Sequence, residues 1–261
     1  MIKGAFFDVD GTLIPFGGNL LPEELRTDLL ALKASGVKLF LATGRSKQDL
    51  DNTGMLRDVT FDAYLTLNGH RCFDGQGLYR NVTIPRGDLE AAFRILREHP
   101  EIIAVLETER GNFLTRMDES LRSLFQEIHT PVYPVREHEA ALEEDTYQFV
   151  PFVPAGEERM FLAEMPHCLS TRWHSRAVDI IPNDGGKADG IRATLERFDL
   201  KREEVIAFGD GDNDRGMLAL AGIGVAMGNG GEQIKAAADY VTDAVDRGGV
   251  SKALRHFGLL P

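Results

Sequence analysis

The 261-residue chain carries a formal charge of −12 at pH 7, with 43% hydrophobic and 27% charged residues. That balance is ordinary for a globular protein of two domains and excludes a general electrostatic footprint for nucleic acid or an anionic membrane. The two cysteines, Cys72 and Cys168, form no C-x-x-C pair, no apolar run could span a bilayer, and Asp8 breaks the run after Lys3 before it reads as a signal peptide. A reducing cytoplasm, with both thiols as small buried hydrophobes, is the expected setting.

Residues 3–9 read as a buried strand, and residues 22–35 as a helix that opens on Pro22 and closes before Gly36. A second strand over 37–42 ends in Thr43-Gly44-Arg45, and a helix starts near Lys47. A third strand over 62–67 ends in Asn68-Gly69, a turn signal, and residues 71–79 read as a hairpin broken at Asp74-Gly75-Gln76-Gly77. Strand, helix, strand, helix, strand is the pattern of a parallel sheet.

The pattern changes near Val82. Helices over 86–99, 118–129 and 156–165 separate strands over 102–107, 147–153, 169–173 and 177–181, with a proline-bearing loop at Pro131 and Pro134. This mixture predicts a separate α+β unit over 82–183. After Asn183-Asp184-Gly185-Gly186 the first pattern returns, with a helix over 187–198, a strand over 205–209 ending in Asp210, and a helix over 214–220. A strand over 223–227, a helix, a short strand at 240–241 and a final helix follow. The expected fold class is therefore α/β: a Rossmann-like, doubly wound parallel-sheet core formed by residues 1–81 and 184–261, with an inserted α+β domain.

In such sheets, ligands bind beyond the carboxyl ends of the strands. The predicted tips carry Asp8 and Asp10, Thr43, Asn68, Asp210 with Asn213 and Asp214, and Asn229. Carboxylates this dense repel one another and any anionic substrate unless a divalent cation lies among them, and oxygen donors suit Mg²⁺. Singly, Asp10 or Asp214 serves equally well as a helix or turn cap, and Lys187 equally well as a solvated surface residue. Lys187 falls in the first turn of a helix, where the macrodipole disfavours a cation, so an anionic partner such as phosphate or Asp8 would suit it. The run Asp210–Asp214 is not a calcium loop, because Arg215 and Ala221 stand where Gly and Glu are required. Gly185-Gly186-Lys187 is not a Walker loop, with Ile181 and Ala188 at two required positions. No G-x-S-x-G elbow, zinc-protease pair or dinucleotide fingerprint occurs. Residues 171–176 form a basic and aromatic patch that reads either as a substrate wall or as a solvated hairpin.

In order along the chain, Asp8-Val9-Asp10-Gly11-Thr12, Thr43-Gly44-Arg45, Lys187 and Gly209-Asp210-Gly211-Asp212-Asn213-Asp214 resemble the four motifs of the haloacid dehalogenase-like phosphatases. The large insertion between the second and third motifs is similar to that of the Cof-type subgroup, whose recurring stretches Asn68-Gly69 and Met227-Gly228-Asn229 also resemble. Gly186 and Gly230 depart from the commoner Ser and Ala. The resemblance implies that Asp8 is the nucleophile, forming an aspartyl-phosphate, that Asp10 is the general acid and base, and that Lys187 neutralises charge. It implies phosphate or substrate binding by Thr43, Gly44, Arg45, Asn68 and Asn213. It also implies a Mg²⁺ cofactor held by Asp8, Asp10 (through its carbonyl) and Asp210, with Asp214 and Asn213 either supporting those ligands or adding to them, direct binding by Asp214 being left open. The insertion is expected to act as a cap over the strand tips. The expected partner is a small phosphorylated metabolite, foremost a sugar phosphate, with neither nucleic acid nor membrane, and no oligomeric state is specified. A hexose phosphomutase and a noncatalytic phosphometabolite-binding protein are the alternatives. Asp10 argues against carbon–halogen cleavage, since members performing it lack this second acid.

Overall fold

The computed structural model describes residues 1–127 and 132–261. The first part of the core contains β1 (Gly4–Phe7), α1 (Glu23–Ala34), β2 (Lys38–Ala42), α2 (Lys47–Thr53), β3 (Ala63–Thr66), β4 (Arg71–Asp74) and β5 (Gly77–Asn81). The insertion contains α3 (Arg86–Glu98), β6 (Ala104–Thr108), β7 (Gly111–Leu114), α4 (Glu119–Glu127), β8 (Thr146–Pro151), α5 (Arg159–Leu162), β9 (Cys168–His174) and β10 (Ala177–Pro182). The core then resumes with α6 (Lys187–Arg197), β11 (Val205–Gly209), α7 (Arg215–Leu220), β12 (Ile223–Ala226), α8 (Glu232–Ala236), β13 (Tyr240–Val241) and α9 (Gly249–His256).

One compact unit comprises Met1–Asn81 with Gly185–Pro261, and the other is Val82–Asp184. Asp184 thus falls with the insertion, one residue beyond the expected boundary. The core sheet runs β13-β12-β11-β1-β2-β3-β4-β5. Its members from β13 to β3 are parallel, and the β4–β5 hairpin adds an antiparallel edge. Because side chains alternate across a strand, each core strand feeds two apolar layers. Ala5, Phe7, Leu39 and Leu41 pack with Leu25 and Leu29 of α1 and Leu254 of α9 on one face. Phe6, Phe40 and Ala42 pack with Ile191 of α6 and Met217 of α7 on the other. These strands are apolar throughout because both faces are covered.

α1 begins where Pro22 fixes the entering backbone, places Glu23 and Glu24 in its first turn, and gives way to Gly36 at φ +94°. α2 is capped by Ser46, whose Oγ accepts the Asp49 N–H at 3.0 Å. The effect of these ends is to return the chain to the sheet so that β1, β2, β3, β11 and β12 point their carboxyl ends the same way.

The inserted unit is an antiparallel sheet in the order β7-β6-β8-β10-β9. Phe93, Phe113, Phe149 and Phe161 pack on one face, and Leu121, Phe125 and Val150 on the other. β7 has no counterpart in the sequence expectation, since a four-residue strand opening on Gly and Asn gives no alternation to read. The helix expected over 156–165 contracts to Arg159–Leu162. α4 ends at Glu127, and the remainder of the expected helix, with Pro131, lies outside the described residues, as does the Trp173 ring. Both cysteines are free, Cys72 buried and Cys168 partly so.

Candidate active site

The parallel register carries β1 one residue further, where the Asp8 N–H donates to the Phe208 carbonyl at 3.0 Å. Asp8 therefore emerges at the tip, 6% exposed. The chain then turns tightly, with the Val9 carbonyl accepting from the N–H groups of Thr12, Leu13 and Ile14. Gly11 adopts φ +82°, and a Cβ there would lie 2.2 Å from Asp210 Oδ2. Only glycine lets this loop pass so close to the β11 tip.

Beyond β11, Asp214 folds back over the turn. Its Oδ2 accepts the N–H groups of Asp210 and Gly211, each at 3.0 Å. Its Oδ1 accepts from Lys187 Nζ at 2.6 Å, and the same ammonium donates to Asp8 Oδ1 at 2.5 Å. Lys187 opens α6 with its side chain fully buried. The anionic partner that its position in the first turn calls for is this pair of carboxylates. Burial works to lower its pKa, but Asp214 and Asp8 outweigh burial and raise it, so the ammonium stays charged. Burial pushes the Asp8 carboxyl up to about 8; Lys187 opposes the rise, and Asp214 and Asp210 add to it. Asp210 is pushed up to about 6 by burial and by Asp214, against the bond it accepts from the Thr12 hydroxyl at 3.1 Å.

At the β2 tip, Thr43 is 1% exposed and its Oγ1 accepts the Arg45 N–H at 3.1 Å. The β3 tip is bound to it, the Asn68 N–H donating to the Thr43 carbonyl at 2.9 Å and the Leu67 N–H to the Arg45 carbonyl at 3.1 Å. Leu67, Asn68 and Gly69 lie consecutively in the left-handed region, at φ 52°, 56° and 83°. Two of these are not glycine, and each stores about 1–2 kcal/mol of backbone strain beside the site. Asn68 Oδ1 accepts from Asn213 Nδ2 at 3.0 Å, joining the β3 and β11 tips. Gly44 lies against that amide, a Cβ there falling 3.4 Å from Asn68 Oδ1.

Arg45 does not stand free for a ligand. Its Nε and one terminal nitrogen each donate to Asp10 at 2.7 Å, a two-pronged pair that occupies both Asp10 oxygens. The residues expected from sequence thus come together in two groups: Asp8, Asp210, Asp214 and Lys187 at the centre, and Asp10 with Arg45 beside Thr43. Thr12 and Asn229 also reach Asp210; their place at strand tips is a signal in the sequence, but nothing there gives them a partner.

Ligand oxygens of Asp8, Asp210 and Asp214 lie within 4.8 Å of one another. A hard divalent cation fits this set: the donors are oxygens, and burial together with mutual repulsion raises Asp8 and Asp210, a cost that a cation removes. Asp214 is the least available donor, because Lys187 and two backbone N–H groups already use both its oxygens.

The sequence model of the haloacid dehalogenase-like hydrolases matches residues 5–254. The 5-amino-6-(5-phospho-D-ribitylamino)uracil phosphatase YitU of Bacillus subtilis is 40% identical over 265 residues, covering 96% of this chain and 95% of that protein. A solved phosphatase of the haloalkanoate superfamily from Bacteroides thetaiotaomicron is similar with a TM-score of 0.90 and 34% identity, over 100% of this chain and 96% of that one. A subclass IIB sugar phosphatase gives a TM-score of 0.84 at 35% identity, over 99% and 100% of the two chains. No helix among the described residues is long and apolar enough to cross a membrane. With its parallel core, its insertion and the match along nearly its whole length, the chain belongs to the haloacid dehalogenase-like hydrolases.

Proposed function

We propose that the protein is a Mg²⁺-dependent phosphatase that hydrolyses a small phosphorylated metabolite, foremost a sugar phosphate, through an aspartyl-phosphate on Asp8. The observation that carries this reading is the buried Lys187 ammonium bridging Asp8 and Asp214 at 2.5 and 2.6 Å. It fixes one oxygen of Asp8 and leaves the other for attack on phosphorus.

In the first step a bond forms between that oxygen and phosphorus while the ester P–O bond breaks, and Asp10 gives its proton to the leaving alkoxide. In the second step the Asp10 carboxylate takes a proton from water, the water oxygen bonds to phosphorus, and the acyl-phosphate P–O bond breaks to return Asp8 and release phosphate. Thr43 and the Gly44 N–H hold the phosphoryl oxygens, with Asn68 and Asn213 at their margin, while Lys187 offsets charge on nucleophile and phosphoryl group. Both Asp10 oxygens are engaged by Arg45, so proton donation requires Arg45 to release at least one of them. The incoming phosphoryl group is a competing anion for that guanidinium, which gives Arg45 a phosphate-binding role. Mg²⁺, held by Asp8, Asp210 and the Asp10 carbonyl, with Asp214 as a further candidate, would keep the nucleophile ionised and screen the phosphoryl charge.

The substrate class is supported by two relatives, one named a sugar phosphatase and the other a phosphatase for a phosphoribityl compound. Leaving-group selectivity is assigned to the inserted unit. The test is phosphate release over a panel of phosphorylated metabolites, with and without EDTA. Turnover that requires Mg²⁺, needs no bisphosphate activator, and is lost in Asp8→Asn with folding intact is expected. Activity that survives either Asp8→Asn or thorough chelation would overturn the reading.

A further inference from the structure

Asn229 has no part in the chemistry above, yet it joins three strands' ends. Its Nδ2 donates to Asp210 Oδ2 at 3.1 Å and to the Gly11 carbonyl at 2.9 Å. Its Oδ1 accepts the Val245 N–H at 2.8 Å. Both amide hydrogens and the amide oxygen are thereby used, which fixes the orientation of the group without rotational freedom.

The turn that carries Asn229 is built for close approach. A Cβ on Gly228 would lie 2.7 Å from the Ala244 nitrogen, and one on Gly230 would lie 3.0 Å from the Asp210 carbonyl. Glycines on both sides let the loop after β12 sit directly against the β11 tip and the chain that follows β13. Met227 and Gly228 hold it there through N–H bonds to the Gly209 and Asp243 carbonyls.

Asp210 is consequently gripped at both oxygens, Thr12 donating to Oδ1 and Asn229 to Oδ2. Two neutral donors stabilise a carboxylate that burial and Asp214 disfavour, and they set the direction of its remaining lone pairs. Asn229 also holds Gly11, whose positive φ carries the first loop past the same carboxylate.

We infer that Asn229 is a positioning residue for the cation site: it holds Asp210 and the loop after Asp8 in the geometry that a divalent cation requires. The inference rests on reading Asp8 and Asp210 as cation donors. A hydrogen-bonded neighbour of a ligating carboxylate is worth about 10–100-fold in metal affinity.

The experiment is calorimetric titration of the full-length protein with MgCl₂ in the absence of substrate. Asn229→Ala is expected to weaken Mg²⁺ binding about 10–100-fold. In turnover assays it raises the Mg²⁺ concentration for half-activation by a similar factor, while kcat at saturating Mg²⁺ stays near that of the parent. A merely structural role predicts the reverse, a less stable variant with unchanged Mg²⁺ affinity, and that result overturns the inference. Should Asn229→Ala fail to fold, the side-chain amide of Asn229 in the unaltered protein serves instead. Its NMR resonances shift on adding MgCl₂ while those of the exposed Asn52 do not, and a stationary Asn229 overturns the inference. A parent protein that binds no Mg²⁺ refutes the cation reading itself, an outcome distinct from a parent that binds and a variant that binds equally well.

Discussion

Replacing Lys187 with Met isolates the electrostatics of the site. The native ammonium is fully buried and makes two charge-assisted bonds at 2.5 and 2.6 Å, so its removal leaves Asp8 and Asp214 without their counter-charge. Breaking a buried pair in this way costs about 3–5 kcal/mol, a large part of a typical folding stability of about 5–15 kcal/mol. The loss depends on pH in a direction that the titration of Asp8 sets. Burial already lifts its folded pKa from the ordinary carboxylate value near 3.8 to about 8, and without Lys187 to oppose the rise it goes higher still. The folded state then holds a proton that the unfolded chain releases, so stability falls as pH rises from about 4 towards 8. The parent holds that same proton up to about pH 8, so the two stabilities separate only as pH rises through about 8. Urea unfolding in EDTA, followed by circular dichroism at about pH 7 and about pH 9, therefore shows a larger deficit for Lys187→Met at the higher pH. A loss below about 1 kcal/mol at both values, the range of an exposed pair, would refute the account of Lys187 as the buried counter-charge.

Asp10→Asn slows hydrolysis of an alkyl phosphate far more than that of nitrophenyl phosphate, whose leaving group needs no proton; equal losses in kcat would remove the general-acid role. Gly11→Ala loses Mg²⁺ affinity in a calorimetric titration, because its Cβ would fall 2.2 Å from Asp210 Oδ2 on a backbone at φ +82°; unchanged affinity would show that the loop has room to move aside. In the inserted unit, Glu144 has a side chain only 1% exposed that accepts from the Thr108 hydroxyl at 2.5 Å and from Arg136 at 2.6 Å. Burial works to raise its pKa, but Thr108, Arg136 and Arg110 bring it below the ordinary glutamate value of 4.5. Its stabilisation is therefore present above that value and is lost as pH falls through the lower, folded one. Glu144→Gln costs about 1.5–3 kcal/mol near neutral pH in urea unfolding, with the gap narrowing in acid; a gap independent of pH would contradict the assignment.

The core was legible because its strands are buried on both faces and so read as continuous apolar runs: the strand expected over 205–209 is β11, Val205–Gly209. The polar residues ending those runs then mark the site, since parallel pairing brings β1, β2, β3, β11 and β12 to one edge. What the sequence did not reveal depends on how those tips meet. Arg45 lies 35 positions from Asp10, and only the fold shows its guanidinium on that carboxylate. Asp214 reads as a further metal donor until its two oxygens are seen to be used by Lys187 and two backbone N–H groups. Asn229 reads as one more polar tip, and its grip on Asp210 comes from a loop 19 residues further along the chain. In the insertion, Gly111–Leu114 becomes a strand by pairing with β6 and not through any alternation of its own.

The central claim is that Asp8 carries the phosphoryl group, and chemical trapping tests it most directly. The protein is mixed with a phosphate ester that it turns over, treated with borohydride during turnover, and digested for peptide mass spectrometry. Borohydride reduces an acyl-phosphate to an alcohol, so the account predicts homoserine at position 8 in the native protein and in no other aspartate of the site. Continued release of phosphate with Asp8 recovered unmodified, or homoserine at Asp10 or Asp210 instead, would contradict it.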